Sequence, residues 1–270
     1  MIRDITIGQY YPVDSIIHRL DPRVKLLGTL LYIISLFLFD SFAGYLLVIG
    51  FIGSVILASK VPLSYIFKGL KAVIFLLLFT VVFNVFFTQG DNVIGEWWIF
   101  RLTWEGLYQG AFMGIRIILL IIGSSIMTFT TTPKALTDGL ETALHPLNRI
   151  KVPVHEIAMI MSIALRFIPI LLEETDKIMK AQMARGADFE NGSMIQKVKA
   201  LLPIFIPLFV SAFRRANDLA MAMEARCYNG GTNRTKMKPL VYASRDYIGY
   251  ALLGGYIALF VVLNLWFAWF

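Results

Sequence analysis

The chain has 270 residues, of which 57% are hydrophobic and only 16% are charged, and its formal net charge is +7. Because about a quarter of the residues in a soluble domain are charged, this composition excludes an ordinary soluble protein and indicates one that lies largely in lipid. The single cysteine, Cys227, excludes a disulfide framework and a metal site built from several cysteines. Basic residues are scattered along loops that flank apolar runs, which argues against nucleic-acid binding.

The first half of the chain contains four apolar runs that we predict to be transmembrane helices. They are Leu26–Phe39, Phe42–Ala58, Ala72–Thr88 and Leu107–Phe129. A helix needs about 20 apolar residues to cross a bilayer, so the first run is short, and one long tilted helix over 26–58 is the alternative. Two short helices keep Lys25 and Lys60 on the same side of the membrane, and the positive-inside rule therefore favours them.

The fourth run carries two features of possible functional interest. Gly106, Gly110 and Gly114 recur every four residues and share one helix face, a pattern that allows close helix packing. That face could meet a partner subunit, but packing within the chain is the preferred interpretation. Arg116 lies within the same run, where a charge is costly and indicates a polar intramembrane site, paired with a carboxylate. A side chain that reaches to the membrane surface is the equal alternative.

Residues 131–246 contain 16 of the 25 Lys and Arg residues, which predicts a cytoplasmic segment. It includes two apolar runs, Ile157–Leu172 and Leu201–Phe213. If both crossed the membrane, the basic stretch 173–200 would lie outside, so we interpret them as helices buried against protein or lying at the inner interface. Five spans, with the N-terminus inside and the C-terminus outside, are therefore preferred over seven.

The last apolar run, Ile248–Phe270, is the fifth predicted span. The predicted fold is all-α: a polytopic membrane protein of about five transmembrane helices with a cytoplasmic helical domain. The predicted parts are an N-terminal transmembrane region at 1–130, the cytoplasmic domain at 131–246 and a C-terminal transmembrane helix at 247–270.

Local signals predict three helices in the cytoplasmic domain. Thr132-Pro133 provides an N-cap and a proline at the first helical position. The second helix begins near Pro153 and ends at Gly186, since glycine readily adopts the left-handed conformation that closes a helix. The third begins at a capping box, Ser193–Gln196, bends at its prolines and ends near Tyr228.

The second and third of these helices end alike, in Ala184-Arg185-Gly186 and Ala225-Arg226-Cys227. An arginine in the last turn interacts favourably with the helix dipole, and spacing alone favours this simple interpretation. The alternative is that both arginines bind carboxylates of partner proteins, because a guanidinium is always charged and donates through a rigid fork.

Several stretches carry a resemblance to a known family. They are Asp14–Leu26, Thr131–Pro133 with His145–Leu147, Ala164–Pro169 leading to Glu173-Glu174, and the two Ala-Arg endings. In this order, and over nearly the whole chain, they resemble the transmembrane T-component of energy-coupling factor transporters, a family that includes the membrane subunit of cobalt importers. The chain departs from the family at Cys227, where the second motif usually has glycine. Because cysteine does not adopt a left-handed turn cheaply, the geometry of that helix end is open.

The resemblance implies a non-catalytic membrane subunit of an ATP-driven importer in a prokaryotic cell membrane. It implies that the two endings dock into two ABC-type ATPase subunits, which makes 131–246 a coupling domain. The docking residues are then Ala184, Arg185, Gly186, Ala225 and Arg226. A membrane-embedded S-component would bind the substrate, a vitamin or other micronutrient.

No cofactor or metal is expected on this chain itself, so the partner ATPases would bind ATP and Mg²⁺. The sequence contains no phosphate-binding Gly-x-x-x-x-Gly-Lys-Ser/Thr motif, and His18, His145 and His155 have no metal-ligand spacing. No catalytic residue is assigned.

Two functions from other classes stay open. An intramembrane enzyme would need polar catalytic residues within its spans, and Asn84, Arg116 and Ser124-Ser125 form only a thin set. A self-sufficient secondary transporter would need internal repeats and polar sites at mid-membrane, which the sequence does not show. Both alternatives predict that the chain works alone, whereas a coupling subunit requires ATPase partners.

Overall fold

The computed structural model describes residues 9–38, 42–88, 92–97, 100–187, 189, 194–230 and 237–268. Within them the elements are α1 (Pro22–Leu38), α2 (Phe42–Ser59), α3 (Leu63–Phe87), β1 (Val93–Trp97), β2 (Phe100–Thr103), α4 (Trp104–Thr130), α5 (Pro133–Leu144), a 3-10 helix (His145–Ile150), α6 (Val154–Ala184), α7 (Met194–Ala225) and α8 (Ser244–Ala268). The fold is all-α, as predicted, apart from one short antiparallel hairpin that β1 and β2 form.

The first two apolar runs form α1 and α2. Gly28 of α1 and Val55 of α2 line the same cavity, which one long helix would not allow, so two short helices are confirmed. Residues 39–41 between them lie outside the described part of the chain. α3 begins at Leu63, upstream of the predicted start at Ala72, and bends by 61° between Leu63–Lys71 and Val73–Phe87. The prediction began later because two lysines in the first section were excluded from an apolar span.

By length and composition, three of the described helices can cross a membrane: Trp104–Thr130, Val154–Ala184 and Ser244–Trp266. The bent pair in α3 makes a fourth if it counts as one span, and Gly44–Ser59 is apolar but shorter. Val154–Ala184 meets the criteria although the charge pattern favours placing its apolar run outside the bilayer. The chain is thus a multi-pass membrane protein with an all-α fold.

Two of the predicted helix starts between residues 131 and 246 are confirmed, those of α5 and α6. Thr132 caps α5, since its Oγ1 accepts a hydrogen bond from the backbone N–H of Ala135 at 3.3 Å. α6 begins directly after Pro153, and Pro169 lies inside it without ending it. α7 begins at Met194, while Ser193 of the predicted capping box lies outside the described residues.

The described residues form two compact units, one within Gly8–Gly139 and Leu240–Phe270, the other within Leu140–Pro239. The predicted boundaries at 131 and 247 stay predictions. The core of the first unit joins α1, α2, α4 and α8. Its buried members are Tyr32, Leu36, Tyr45, Val48, Ile52, Leu119, Ile126 and Tyr256.

Tyrosines in this core are fixed by hydrogen bonds as well as by packing. The hydroxyl of Tyr32 donates to the carbonyl oxygen of Leu119 at 2.8 Å, and the hydroxyls of Ser35 and Tyr256 are 2.6 Å apart. Polar groups in lipid need such internal partners. A Cβ at Gly123 would lie 2.2 Å from Cε1 of Tyr32, so only glycine allows α1 and α4 this close approach.

Candidate functional site

The helices that carry the two arginine endings, α6 and α7, form an antiparallel pair. The side-chain amide of Gln182 donates to the carbonyl oxygen of Pro203 at 3.4 Å. Earlier in α6, Glu174 accepts hydrogen bonds from Ser211 and Arg215, which lie later in α7. Because late positions of α6 meet early positions of α7, the C-terminal ends of the two helices point in opposite directions.

The end of α6 is a Schellman motif. The N–H of Ala187 donates to the carbonyl oxygen of Gln182 at 3.0 Å, and the N–H of Gly186 donates to that of Met183 at 3.0 Å. Gly186 has φ = +90°, the left-handed conformation that this motif requires. Arg185 is therefore the C-cap residue, and its side chain is exposed.

The end of α7 has the same closure. The N–H of Tyr228 donates to the carbonyl oxygen of Met223 at 3.0 Å, and that of Cys227 donates to Glu224 at 2.9 Å. Cys227 has φ = +55°, so it adopts the left-handed conformation in spite of its Cβ. That conformation costs a non-glycine residue about 1–2 kcal/mol, which the two capping hydrogen bonds offset. Arg226 thus occupies the position that Arg185 occupies in α6, and it too is exposed.

The two arginines are far apart along the helix pair. Extending the register of the Gln182 and Glu174 contacts places Arg226 beside the region of Met161, roughly 35 Å from Arg185 along α6. Residues 184–186 and 224–227 are all exposed. Each end can therefore meet its own partner without obstructing the other.

The middle of the pair is held by one polar cluster. Glu174 accepts the hydroxyl of Ser211 with one carboxylate oxygen and Arg215 Nη2 with the other, the latter at 2.9 Å. Phe167, Leu171 and other apolar side chains line a groove beside it. The cluster fixes the register of α6 against α7.

We expect Glu174→Ala to loosen this helix pair, because it removes both hydrogen bonds. Since the ion pair is partly exposed, the loss is about 1 kcal/mol, which lowers the melting temperature of a chain this size by about 2–4 °C. The measurement is thermal unfolding of the purified chain in detergent. The neighbouring Glu173 is exposed and provides the control. Equal shifts for Glu173→Ala and Glu174→Ala would contradict the cluster's role.

The glycine face of α4 lies against α3. A Cβ at Gly106 would be 2.9 Å from the carbonyl oxygen of Val85, and one at Gly110 would be 2.7 Å from Cγ2 of Val85. A Cβ at Gly114 would be 3.0 Å from Cγ2 of Val81. All three glycines are buried, so the neighbour that they meet in this structure is a helix of the same chain.

Arg116 of α4 contacts aromatic side chains of α1 and α2. Its Nε donates to the hydroxyl of Tyr45 at 2.9 Å, and its guanidinium carbon is 5.9 Å from the ring centroid of Phe37. The side chain is half-buried. A role as a polar intramembrane site stays a prediction, but the contact with Tyr45 gives part of its charge a hydrogen-bond partner within the chain.

A buried carboxylate that the sequence analysis missed joins the starts of α1 and α8. Asp246 is 1% exposed, and its Oδ1 accepts the N–H of Asp21 at 2.8 Å. Its Oδ2 accepts the N–H of Ala243, the N-cap residue of α8, also at 2.8 Å, which forms the carboxylate half of a capping box. Asp21 in turn caps α1 by accepting the N–H of Arg23 at 2.9 Å. The local signal in the sequence is incomplete, because Ala243 lacks the hydroxyl of a full capping box, and the sequence gives no sign of the long-range contact.

We expect Asp246→Ala to destabilise the first compact unit by about 3 kcal/mol, because two backbone N–H groups lose a charged acceptor. The measurement is again thermal unfolding in detergent, where the loss corresponds to a decrease of roughly 6–12 °C. The exposed Asp218 of α7 provides a matched control. If Asp246→Ala and Asp218→Ala had the same melting temperature, the contact between α1 and α8 would not contribute to stability.

The segment before α1 is fixed by His18 and Lys25. Nε2 of His18 donates to the carbonyl oxygen of Tyr11 at 3.0 Å, so Nδ1 accepts the hydroxyl of Ser15 at 2.7 Å. Burial lowers the pKa of His18, which favours this neutral form. Nζ of Lys25 donates to the carbonyl oxygens of His18 and Thr130, at 3.2 and 2.8 Å. Among the described residues, no group of three or more His, Cys, Asp or Glu side chains could hold a metal ion.

Comparison with known proteins finds a family and several relatives whose sequences match most of the chain. The profile of the CbiQ family, described as "Cobalt transport protein", matches residues 14–237. The energy-coupling factor transporter transmembrane protein EcfT of Clostridium kluyveri is 57% identical, and the match covers 92% of both chains. The protein of the same name from Heliobacterium modesticaldum is 50% identical over 98% of both chains. That from Bacillus subtilis is 47% identical over 91% of this chain and 93% of its own length.

Proposed function

Since the chain belongs to the CbiQ family and is an energy-coupling factor transporter transmembrane component, we propose that it couples ATP hydrolysis to the uptake of a vitamin or other micronutrient. Two ABC-type ATPase subunits hydrolyse the ATP, and a separate membrane-embedded S-component binds the substrate. The chain itself is not catalytic and binds no cofactor, so ATP and Mg²⁺ act on the partner subunits.

The observation that carries this proposal is the pair of equivalent helix ends. Both end in the same backbone closure, and both present an exposed arginine as the C-cap residue. The antiparallel arrangement puts Arg185 and Arg226 at opposite ends of the pair. Two equivalent ends fit two ATPase subunits, one at each end.

The chemistry of docking follows from the guanidinium group. It is charged at every physiological pH and donates through a planar fork that matches a carboxylate. A Schellman motif fixes the backbone next to each arginine, so that the side chain projects from a rigid end. An acidic cleft on each ATPase subunit would bind such an end.

Coupling requires that movement at the arginine ends reaches the substrate-binding partner. When ATP closes the ATPase dimer, Arg185 and Arg226 move with their clefts, and the Glu174 cluster makes α6 and α7 move as one lever. α7 exposes a row of large apolar side chains, Phe205, Phe209 and Phe213, at 61, 65 and 56%. This surface is large and apolar enough to contact the S-component. The coupling depends on contacts that differ between two states of the complex.

In this complex the chain lies in the prokaryotic cell membrane with its N-terminus inside and its C-terminus outside. The basic residues between 131 and 246 support this orientation, because they then face the cytoplasm, where the ATPases are.

The first test is affinity purification of the full chain from its native membrane, followed by mass spectrometry of the proteins that remain bound. Two ABC-type ATPases and a small hydrophobic binding protein are the expected result. The identity of that small protein would narrow the substrate. A chain that purifies alone and transports or reacts alone would instead support a secondary transporter or an intramembrane enzyme.

The single cysteine allows a sharper test of the docking geometry. Cys227 is exposed and directly follows Arg226, so a thiol-specific crosslinker on it should capture an ATPase subunit in the native complex. As a control, Cys227→Ser combined with Trp104→Cys moves the thiol to an exposed residue after the third predicted span. This position lies outside the cell when the N-terminus is inside. Equal capture of the ATPase from both positions would contradict docking at the end of α7.

A further inference from the structure

The first compact unit contains a cavity that neither the coupling role nor the arginine ends involve. It has a volume of about 150 Å³ and lies between α1, α2, α4 and α8. Its walls are mainly apolar, with contributions from Leu20, Val24, Phe51, Val55 and Leu253. Ligand cavities in proteins have this character: apolar walls with a few placed polar groups.

The charged group of the lining lies at one end of this cavity. Lys25 and Thr130 line it there, whereas Tyr32 and Gly123 line the opposite end and close it by their tight contact. Seven residues of helix separate Lys25 from Tyr32, so the cavity extends roughly 10 Å along α1. One leaflet of hydrocarbon is about 15 Å thick. The cavity is thus charged at one end, apolar along its walls and shorter than one leaflet, which suits part of a single acyl chain.

Lys25 is the lining residue with an unused hydrogen-bond donor. Its ammonium has three N–H bonds, and the described contacts use two, to the carbonyl oxygens of His18 and Thr130. The lining hydroxyls of Thr29, Thr130 and Tyr32 all donate to helix carbonyl oxygens. The third N–H of the Lys25 ammonium is therefore available to an acceptor at this end of the cavity.

Nearby carboxylates have other partners. Asp21 accepts the N–H of Arg23 and lies 3.6 Å from its guanidinium. Asp246 accepts two backbone N–H groups. Both carboxylates attract the ammonium of Lys25 electrostatically. Among the described contacts neither accepts a hydrogen bond from it, so its third N–H is left for an acceptor from outside the chain.

We propose that this cavity binds one acyl chain of an anionic phospholipid, whose phosphate accepts a hydrogen bond from Lys25. Basic pockets between transmembrane helices are known to bind anionic lipid headgroups in this way. The acyl chain lies against the apolar walls between α1 and α4, and the headgroup remains at the membrane surface. Under the proposed orientation this is the cytoplasmic leaflet.

The test is lipid binding to the purified full chain in detergent, counted by native mass spectrometry during titration with phosphatidylglycerol. Val55→Phe fills the cavity from α2 and should weaken the binding of phosphatidylglycerol at least tenfold. Leu57→Phe adds the same ring to the same helix at a side chain that is 81% exposed, and should leave binding unchanged. Equal binding by both variants would overturn the cavity as the site and indicate annular lipid only.

Two further probes test the headgroup contact. Diacylglycerol with the same acyl chains lacks the phosphate and should bind at least tenfold more weakly than phosphatidylglycerol. Lys25→Gln keeps two N–H donors for the carbonyl oxygens but loses the charge, and should remove this preference. Equal affinity for both lipids would overturn phosphate recognition by Lys25. If lipid that copurifies with the chain were displaced by a free fatty acid but not by phosphatidylglycerol, the phospholipid assignment would be overturned.

Discussion

We expect substrate uptake to fall to background when Arg185 and Arg226 are both replaced by alanine, while the chain still inserts and folds. Removing one partner from a hydrogen-bonded charge pair at an interface costs about 2–5 kcal/mol, which corresponds to a loss of about 30-fold or more at each site. The measurement is uptake in proteoliposomes that contain the complete complex, together with ATP hydrolysis and the amount of bound ATPase.

Folding should survive these changes because both helix ends are closed by backbone hydrogen bonds. The carbonyl oxygens of Gln182 and Met223 accept their capping bonds whatever side chain occupies the C-cap position. Arg214→Ala is the matched control, since Arg214 is an exposed arginine of α7 that lies away from its C-terminal end. Its uptake should remain near the wild-type level.

The pattern of the three readouts separates docking from coupling. Loss of bound ATPase would show that the arginines hold the complex together. Bound ATPase that still hydrolyses ATP without uptake would show that they transmit its movement. Normal uptake by the double variant would refute both roles, and the dipole interpretation of the two arginines would then suffice.

Arginine-to-lysine replacements refine this test. Lysine keeps the positive charge but donates as a point charge without the planar fork. If docking requires each arginine to donate two hydrogen bonds to one carboxylate, the Arg185→Lys and Arg226→Lys variants should each lose most of the uptake. Near-normal uptake would mean that charge alone is sufficient.

Helix ends were predictable from the sequence because their signals are local. Thr132-Pro133 begins α5, and Gly186 closes α6, since each depends on the conformational preference of one or two residues. The same rule made Cys227 the uncertain position, because a Cβ disfavours the left-handed conformation. The structure shows that the capping pattern at Met223 and Glu224 outweighs this preference.

Contacts between distant helices were not predictable in this way. Spacing identified the face of Gly106, Gly110 and Gly114, but it contains no information on which helix packs there. The contact between Asp21 and Asp246 spans 225 positions and joins two helix starts that each look complete in isolation. One sequence without its fold does not identify such partners.

Apolar composition also left the membrane path of α6 open. Its hydropathy satisfies the length and composition criteria, whereas the charge distribution favours a position outside the bilayer. The two signals conflict because a helix that is apolar over half its length can face either lipid or a membrane-embedded partner. Val154–Ala184 is therefore the helix for which composition predicts least about its surroundings.

The close packing of α3 on α4 should make the stability of the folded chain sensitive to a change at Gly110. We expect Gly110→Ala to reduce the stability of the folded chain markedly, because the new Cβ would lie 2.7 Å from Cγ2 of Val85 and 3.3 Å from the carbonyl oxygen of Val81. Overpacking of this kind costs about 1–3 kcal/mol, and valine has little rotamer freedom in a helix with which to relieve it. Thermal unfolding of the purified chain in detergent measures the loss.

The matched control is Gly254→Ala in α8, where a Cβ would meet nothing within 4 Å, so that only the higher helix propensity of alanine acts. A second-site change tests the cause: Val85→Ala removes the methyl groups that the new Cβ would strike. The double variant Gly110→Ala with Val85→Ala should therefore be more stable than the sum of the single changes predicts. Strict additivity, or equal melting of Gly110→Ala and Gly254→Ala, would mean that this glycine face does not determine how closely α3 and α4 pack.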